Sequence, residues 1–274
     1  MRALSEKPLL AASAAAALLA GALIVSSFVR AGDRALLCSS VYSSSSPSAE
    51  LAAALLHYAT TRVVPQQSRA EIRISFDVLR RRAPCNFLVF GLGHDSLMWS
   101  AFNAGGTTVF LEEDPVWFRS VTKDSPALHA HTVRYRTRLV DADDLLKSYR
   151  SEPSCLPPAA APIKNNHRCR LALADLPAEI YDREWDLIMI DAPKGYYNEA
   201  PGRMAAIFSA AVMARGRRGE GETDVFLHDV NRKVEKKFAM EFLCKKYLVG
   251  GTGRLWHFRI PPVNDTSSGD KGFC

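Results

Sequence analysis

The chain has 274 residues, 47% of them hydrophobic and 23% charged. That length and mixture suit one α/β domain with flanking segments and exclude a wholly disordered polymer. The formal net charge of +6 is spread along the chain, with short clusters such as Arg80–Arg82 and Arg215–Arg218. Scattered charge of this kind reads as solvated surface, and no nucleic-acid partner is expected. An excess of positive charge could still favour anionic lipid or an acidic glycan.

In chain order, the first feature is an uncharged run from Leu9 to Val29, rich in Ala, Leu, Ile and Val. About 20 helical residues cross a bilayer core, so residues 1–30 are expected to be a signal-anchor transmembrane segment. A cleaved signal peptide is the competing reading, but the run is long for one. Lys and Arg flank it equally (Arg2 and Lys7 before, Arg30 and Arg34 after), so charge leaves its orientation open. Residues 31–48 are Ser-rich and read as a stem, residues 49–262 as the folded domain, and residues 263–274 as a flexible tail. The six cysteines behind a membrane-insertion signal fit disulfides in a secretory lumen, with Cys155–Cys169 the favoured pair.

Within the domain, Ala49–Thr60 and Arg69–Arg82 are expected helices. Asn86–Phe90 is a short apolar run ended by Gly91-Leu92-Gly93, followed by a helix over Asp95–Asn103. Thr107–Leu111 reads as a second strand and ends in Glu112-Glu113-Asp114-Pro115. Thr132–Thr137 is expected to be a third strand and Trp185–Ile190, ending at Asp191, a fourth. Met204–Ala214 is helical, Val225–Leu227 runs into His228-Asp229, Phe238–Tyr247 is helical, and Leu255–Ile260 is the last strand. Strands alternating with helices imply a largely parallel sheet covered on both faces, a Rossmann-like α/β fold.

In such a sheet ligands bind beyond the carboxyl ends of the strands. Gly91 and Gly93 let a ligand approach the backbone closely. Glu112 follows Gly91 by about 20 residues, the spacing at which a carboxylate reaches ribose hydroxyls. Asp191, His228 and Asp229, ending two further strands, are the candidate catalytic residues: carboxylates can orient an acceptor and an imidazole can take a proton near neutral pH. Asp191 and Asp229 could also hold a divalent metal. Tyr196, Tyr197 and Arg203 are candidate substrate-binding residues, through aromatic faces for sugar rings and a guanidinium for a carboxylate.

The segments Asn86–Trp99, Thr108–Asp114, Trp185–Pro193, Glu199–Met204 and His228–Arg232 resemble the plant methyltransferases that 4-O-methylate glucuronic acid side chains of cell-wall polysaccharides. The resemblance covers about Leu51 to Pro261 and includes the glucuronoxylan and arabinogalactan enzymes. It implies a class I methyltransferase fold and a Golgi type II membrane protein with a lumenal catalytic domain. It also implies S-adenosylmethionine over Gly91 and Gly93, its ribose held by Glu112 or Glu113. A branch of that family lacks the Gly-Leu-Gly and acidic motifs; this chain has both. Pro65–Ser68 and Lys194–Ala200 favour arabinogalactan over xylan as acceptor. In related metal-dependent enzymes an Asp-Asn pair helps hold the cation, but Asn231 is displaced from that pattern. A catalytically inactive scaffold and a nicotinamide oxidoreductase are the rival functions.

Overall fold

The computed structural model describes residues 49–157, 163–263 and 272–274. The chain divides into Met1–Pro47 and Ser48–Cys274, and the described residues belong to the second unit. The apolar run Leu9–Val29, the Ser-rich stem and residues 264–271 of the expected tail lie outside them. Among the described residues no helix is long and apolar enough to cross a membrane.

Helices α1 (Ala49–Thr60) and α2 (Arg69–Arg82) precede the sheet. Helix α2 starts at a capping box: the Ser68 hydroxyl accepts from the Glu71 N–H while the Glu71 carboxylate accepts from the Ser68 N–H. The strands are β1 (Asn86–Phe90), β2 (Thr107–Glu112), β3 (Ala130–Thr132), β4 (Leu187–Ile190), β5 (Thr223–Leu227), β6 (Leu248–Thr252) and β7 (Leu255–Ile260). They form one seven-stranded sheet in the order β3-β2-β1-β4-β5-β7-β6. Strands β1 to β5 pair in parallel, while β7 is antiparallel to both β5 and β6. This is the Rossmann-like class I methyltransferase architecture, a parallel sheet with a reversed strand near one edge.

The central strands are apolar on both faces because helices cover both. One face buries Leu88, Phe90, Ile188, Ile190, Val225 and Leu227 against α7 (Met204–Arg215). The other buries Phe87, Val89, Phe110, Met189 and Phe226 beside α2 and α3 (Ser96–Phe102). Three further helices are α4 (Pro115–Asp124), α5 (Ala142–Ser148) and α6 (Ala178–Asp182). Asp114 caps α4, accepting from the Val116 and Trp117 N–H groups.

Several sequence expectations need correction. The third strand is Ala130–Thr132, not Thr132–Thr137. The helix expected over Phe238–Tyr247 is α8 (Lys233–Phe238), then a wide π turn over Ala239–Leu243 that breaks at Cys244 with φ 73°. Glycine-containing β6, exposed along the sheet edge, carries little apolar signal. The last residues are not a free tail: Phe273 is buried among Tyr149, Phe208 and Phe242, and Cys274 is disulfide-bonded to Cys244. The expected Cys155–Cys169 bridge is present, and Cys85 is free and buried.

Candidate active site

The carboxyl ends of β1, β2, β4 and β5 open onto one cleft of about 420 Å³. Its floor is the turn after β1. Gly91 has φ +129°, a conformation open to glycine, and its N–H donates to the Leu111 carbonyl. A β-carbon at Gly91 would lie 3.3 Å from the Ala192 β-carbon, so the strand ends meet closely there.

Glu112 ends β2, buried, and braces this turn. One of its carboxylate oxygens accepts from the Leu92 N–H at 3.2 Å and the other from the Asp114 N–H at 2.9 Å. Burial, reinforced by the neighbouring Glu113 charge, pushes its pKa up to about 7. Each oxygen keeps a lone pair for a hydroxyl donor. Glu113 accepts from the Lys194 N–H with one oxygen, and its other oxygen is buried without a partner. Trp117 walls the same end of the cleft and donates to the Leu92 carbonyl. Asp95, also lining the cleft, is raised to about 6 by burial and by the Asp191 charge.

Asp191 stands at the end of β4 with its side chain 24% exposed. One oxygen faces His228 Nδ1 at 2.8 Å and the Arg203 guanidinium at 3.2 Å. The other accepts from the Gln67 amide at 3.0 Å. Burial alone would raise its pKa, but the His228 contact and the Arg203 charge outweigh it and hold the carboxyl below the ordinary range. His228 is buried behind it. Its Nδ1 is on Asp191, and its Nε2 has no hydrogen-bond partner and lies 3.7 Å from the Glu71 carboxylate. The imidazole is not among the cleft-lining groups. The expectation of His228 as the base that meets the acceptor is therefore corrected: it positions Asp191.

Asp229 is likewise not a free carboxylate. Its backbone sits at φ 61°, and its buried carboxylate contacts three guanidinium groups: Arg203 at 2.9 Å, Arg232 at 2.9 Å and Arg254 at 2.8 Å. Arg203 is engaged at all three guanidinium nitrogens. Nε donates to the Pro193 carbonyl, Nη1 to the His228 carbonyl, and Nη2 to the Asp191 carbonyl and carboxylate while forming an ion pair with Asp229. Arg203 lines the cleft, as expected of a substrate-binding residue, but it is buried and its guanidinium is already engaged by these partners. Asp191, His228 and Asp229 do come close enough to be a possible metal set. The Arg203 guanidinium, however, already bridges the two aspartates, and three arginines match the Asp229 charge. The donor set does not fit a divalent ion.

Tyr196 lines the mouth of the cleft and is exposed, while Tyr197 packs edge-on against it and lies off the cleft. The sequence reading gave no site role to Gln67, Glu71, Lys194, Arg232 or Arg254, although Gln67, Lys194 and Arg232 lie in segments it quotes. Only Glu71 carried a local signal, through the Ser-x-x-Glu capping pattern; its second oxygen accepts from the Arg254 N–H.

Comparisons with known proteins place the chain in a family. Residues 70–258 match the model of the IRX15/IRX15L/GXM family. Arabinogalactan O-methyltransferase 2 of Arabidopsis thaliana is 57% identical over 99% of this chain and 96% of its own length. Arabinogalactan O-methyltransferase 1 of the same plant is 60% identical over 93% of this chain and 92% of its own. Its Glucuronoxylan 4-O-methyltransferase 1 is 51% identical over 82% of this chain and 79% of its own. On these matches and on the sheet that carries the site, the chain belongs to the IRX15/IRX15L/GXM family.

Proposed function

We propose that this chain transfers a methyl group from S-adenosylmethionine to the 4-hydroxyl of glucuronic acid side chains on a cell-wall polysaccharide, with arabinogalactan the favoured acceptor. The observation that carries the reading is the single cleft in which the glycine turn, the Glu112 carboxylate and the exposed edge of Asp191 face one another. The identity with the two arabinogalactan enzymes extends over nearly the whole chain and exceeds that with the glucuronoxylan enzyme.

The bound cofactor would supply an electrophilic sulfonium methyl, which leaves the protein chiefly the task of alignment. The Gly91 turn gives a ligand access to the backbone, and Glu112 accepts ribose hydroxyls on its remaining lone pairs. Asp191 accepts a hydrogen bond from the acceptor hydroxyl and takes its proton as the methyl–oxygen bond would form and the methyl–sulfur bond break, leaving a neutral thioether. Arg203, His228 and Gln67 hold that carboxylate in one orientation. Tyr196, at the mouth, offers a face to the sugar chain. Incubation with methyl-labelled S-adenosylmethionine and either polysaccharide tests the proposal: label should appear in 4-O-methylglucuronic acid, more on arabinogalactan. Absence of label from both acceptors overturns it.

Glu112→Ala is expected to weaken cofactor binding by about 1.5–3 kcal/mol, more than Glu113→Ala, because hydrogen bonds to a charged acceptor are lost. Binding to the wild type should also weaken as pH falls through about 7, where Glu112 takes up a proton. Titration calorimetry across pH checks both, and an equal loss in Glu113→Ala assigns the ribose to the wrong acid.

For location, we infer a Golgi membrane protein of type II with residues 1–30 as anchor and the catalytic domain lumenal. The two disulfides suit an oxidising compartment. Carbonate extraction and protease protection of microsomes test this, and digestion of the domain without detergent refutes it.

A further inference from the structure

Strand β3 is the free edge of the sheet beside β2. Residues two apart on a strand share a face, so His129, just before β3, and His131, within it, project the same way. His131 pairs in register with Leu111, whose side chain belongs to the face that also buries Ile180 of α6. Glu179 occupies the first turn of that helix and so meets both rings. Its Oε1 lies 3.0 Å from His129 Nε2 and 2.6 Å from His131 Nε2, and the two ring centroids are 5.1 Å apart. The three ligand atoms lie within 4.8 Å of one another and all three side chains are partly exposed, so an ion from solvent can reach them.

We propose that His129, His131 and Glu179 form a surface site for a borderline-soft divalent ion of the zinc class, separate from the catalytic cleft. Two imidazole nitrogens and one carboxylate oxygen are the donor types that suit zinc, leaving one coordination position open. Magnesium and calcium, which prefer all-oxygen shells, are poorly served by two imidazoles. An ion here would bridge the edge strand β3 to α6, two elements far apart in sequence. It would stabilise the fold in proportion to its binding and leave the chemistry of the Asp191 cleft untouched.

Zinc titration calorimetry on the intact chain tests this, with cobalt as a spectroscopic substitute. The wild type should bind one zinc saturably with a rise in Tm of a few degrees, and cobalt should give the visible absorption of a tetrahedral site. Magnesium should neither bind there nor shift Tm. His131→Ala and Glu179→Gln should each weaken binding by more than about 100-fold, since even a residue that merely orients a ligand is worth 10–100-fold. Both metal-free variants should keep the wild-type Tm within a degree or so and the wild-type turnover. Zinc binding that survives in both variants, or no saturable binding by the wild type, would mean that the three side chains are a hydrogen-bonded triad only, and would overturn the site.

Discussion

Asp191→Asn is expected to lower methyl-transfer turnover by about 10²–10⁴-fold while leaving cofactor affinity nearly unchanged, because help with the acceptor proton is worth that much. The substitution keeps size and shape. The asparagine oxygen can still accept from Arg203 and His228, as Asp191 Oδ1 does now. Its amide would face the Gln67 amide donor, but the Gln67 carbonyl oxygen is buried without a partner, so a flip of that side chain restores a donor–acceptor pair. The fold should therefore survive and the loss should fall on kcat. Because the wild-type carboxyl is held below the ordinary range, Asp191 stays ionised and competent through mildly acidic pH. Steady-state kinetics with both substrates, beside calorimetry with the cofactor, separates the effects. A variant with near-wild-type kcat would remove Asp191 from the chemistry, and one that loses cofactor binding in equal measure would make it part of the cofactor site.

What the sequence revealed of this site follows a physical division. Gly91, Glu112, Asp191 and Asp229 were legible because each ends a short apolar run, and strand ends of a parallel sheet converge on one crevice. The strands themselves were readable where both faces are buried, as in Leu88–Phe90 and Leu187–Ile190. The fold was lost where burial is one-sided or absent: exposed β6, and β3, a short edge strand partnered only by β2. Side-chain roles were harder because they depend on partners distant in the chain. Nothing near His228 foretells that Glu71, on α2, flanks its ring, or that Asp191 meets its other nitrogen. Arg232 stands three residues after Asp229, but nothing near Asp229 foretells the other two arginines, from the turn before α7 and the β6–β7 turn. A His-Asp pair at a strand end reads as a base with its carboxylate; only the tertiary structure puts the imidazole behind Asp191 and surrounds the cleft-lining Asp229 carboxylate with three guanidinium groups.

Asp229→Asn is expected to act on stability rather than chemistry, lowering the Tm of the domain by roughly 6–12 °C. Asparagine fits the space and tolerates the left-handed backbone at φ 61°. The substitution therefore removes little besides charge. That charge lies between Arg203, Arg232 and Arg254 at 2.9, 2.9 and 2.8 Å. Arg232 and Arg254 are 29% and 39% exposed and can turn to water when their partner is neutralised. Arg203 is 5% exposed and cannot, so it keeps Asp191 as its one carboxylate in direct contact among the described residues. Breaking a buried ion pair from one side costs about 3–5 kcal/mol, and the two solvated arginines place this case near the lower end. For a domain of this size about 3 kcal/mol corresponds to the stated shift, at roughly 2–4 °C per kcal/mol. Below the transition the folded variant should lose far less turnover than Asp191→Asn, because Asp191 keeps its bonds to His228 and Gln67. Thermal unfolding followed by circular dichroism, with activity measured well below the midpoint, checks both halves. An unchanged Tm with abolished turnover would return Asp229 to the catalytic role that its position at the end of β5 first suggests.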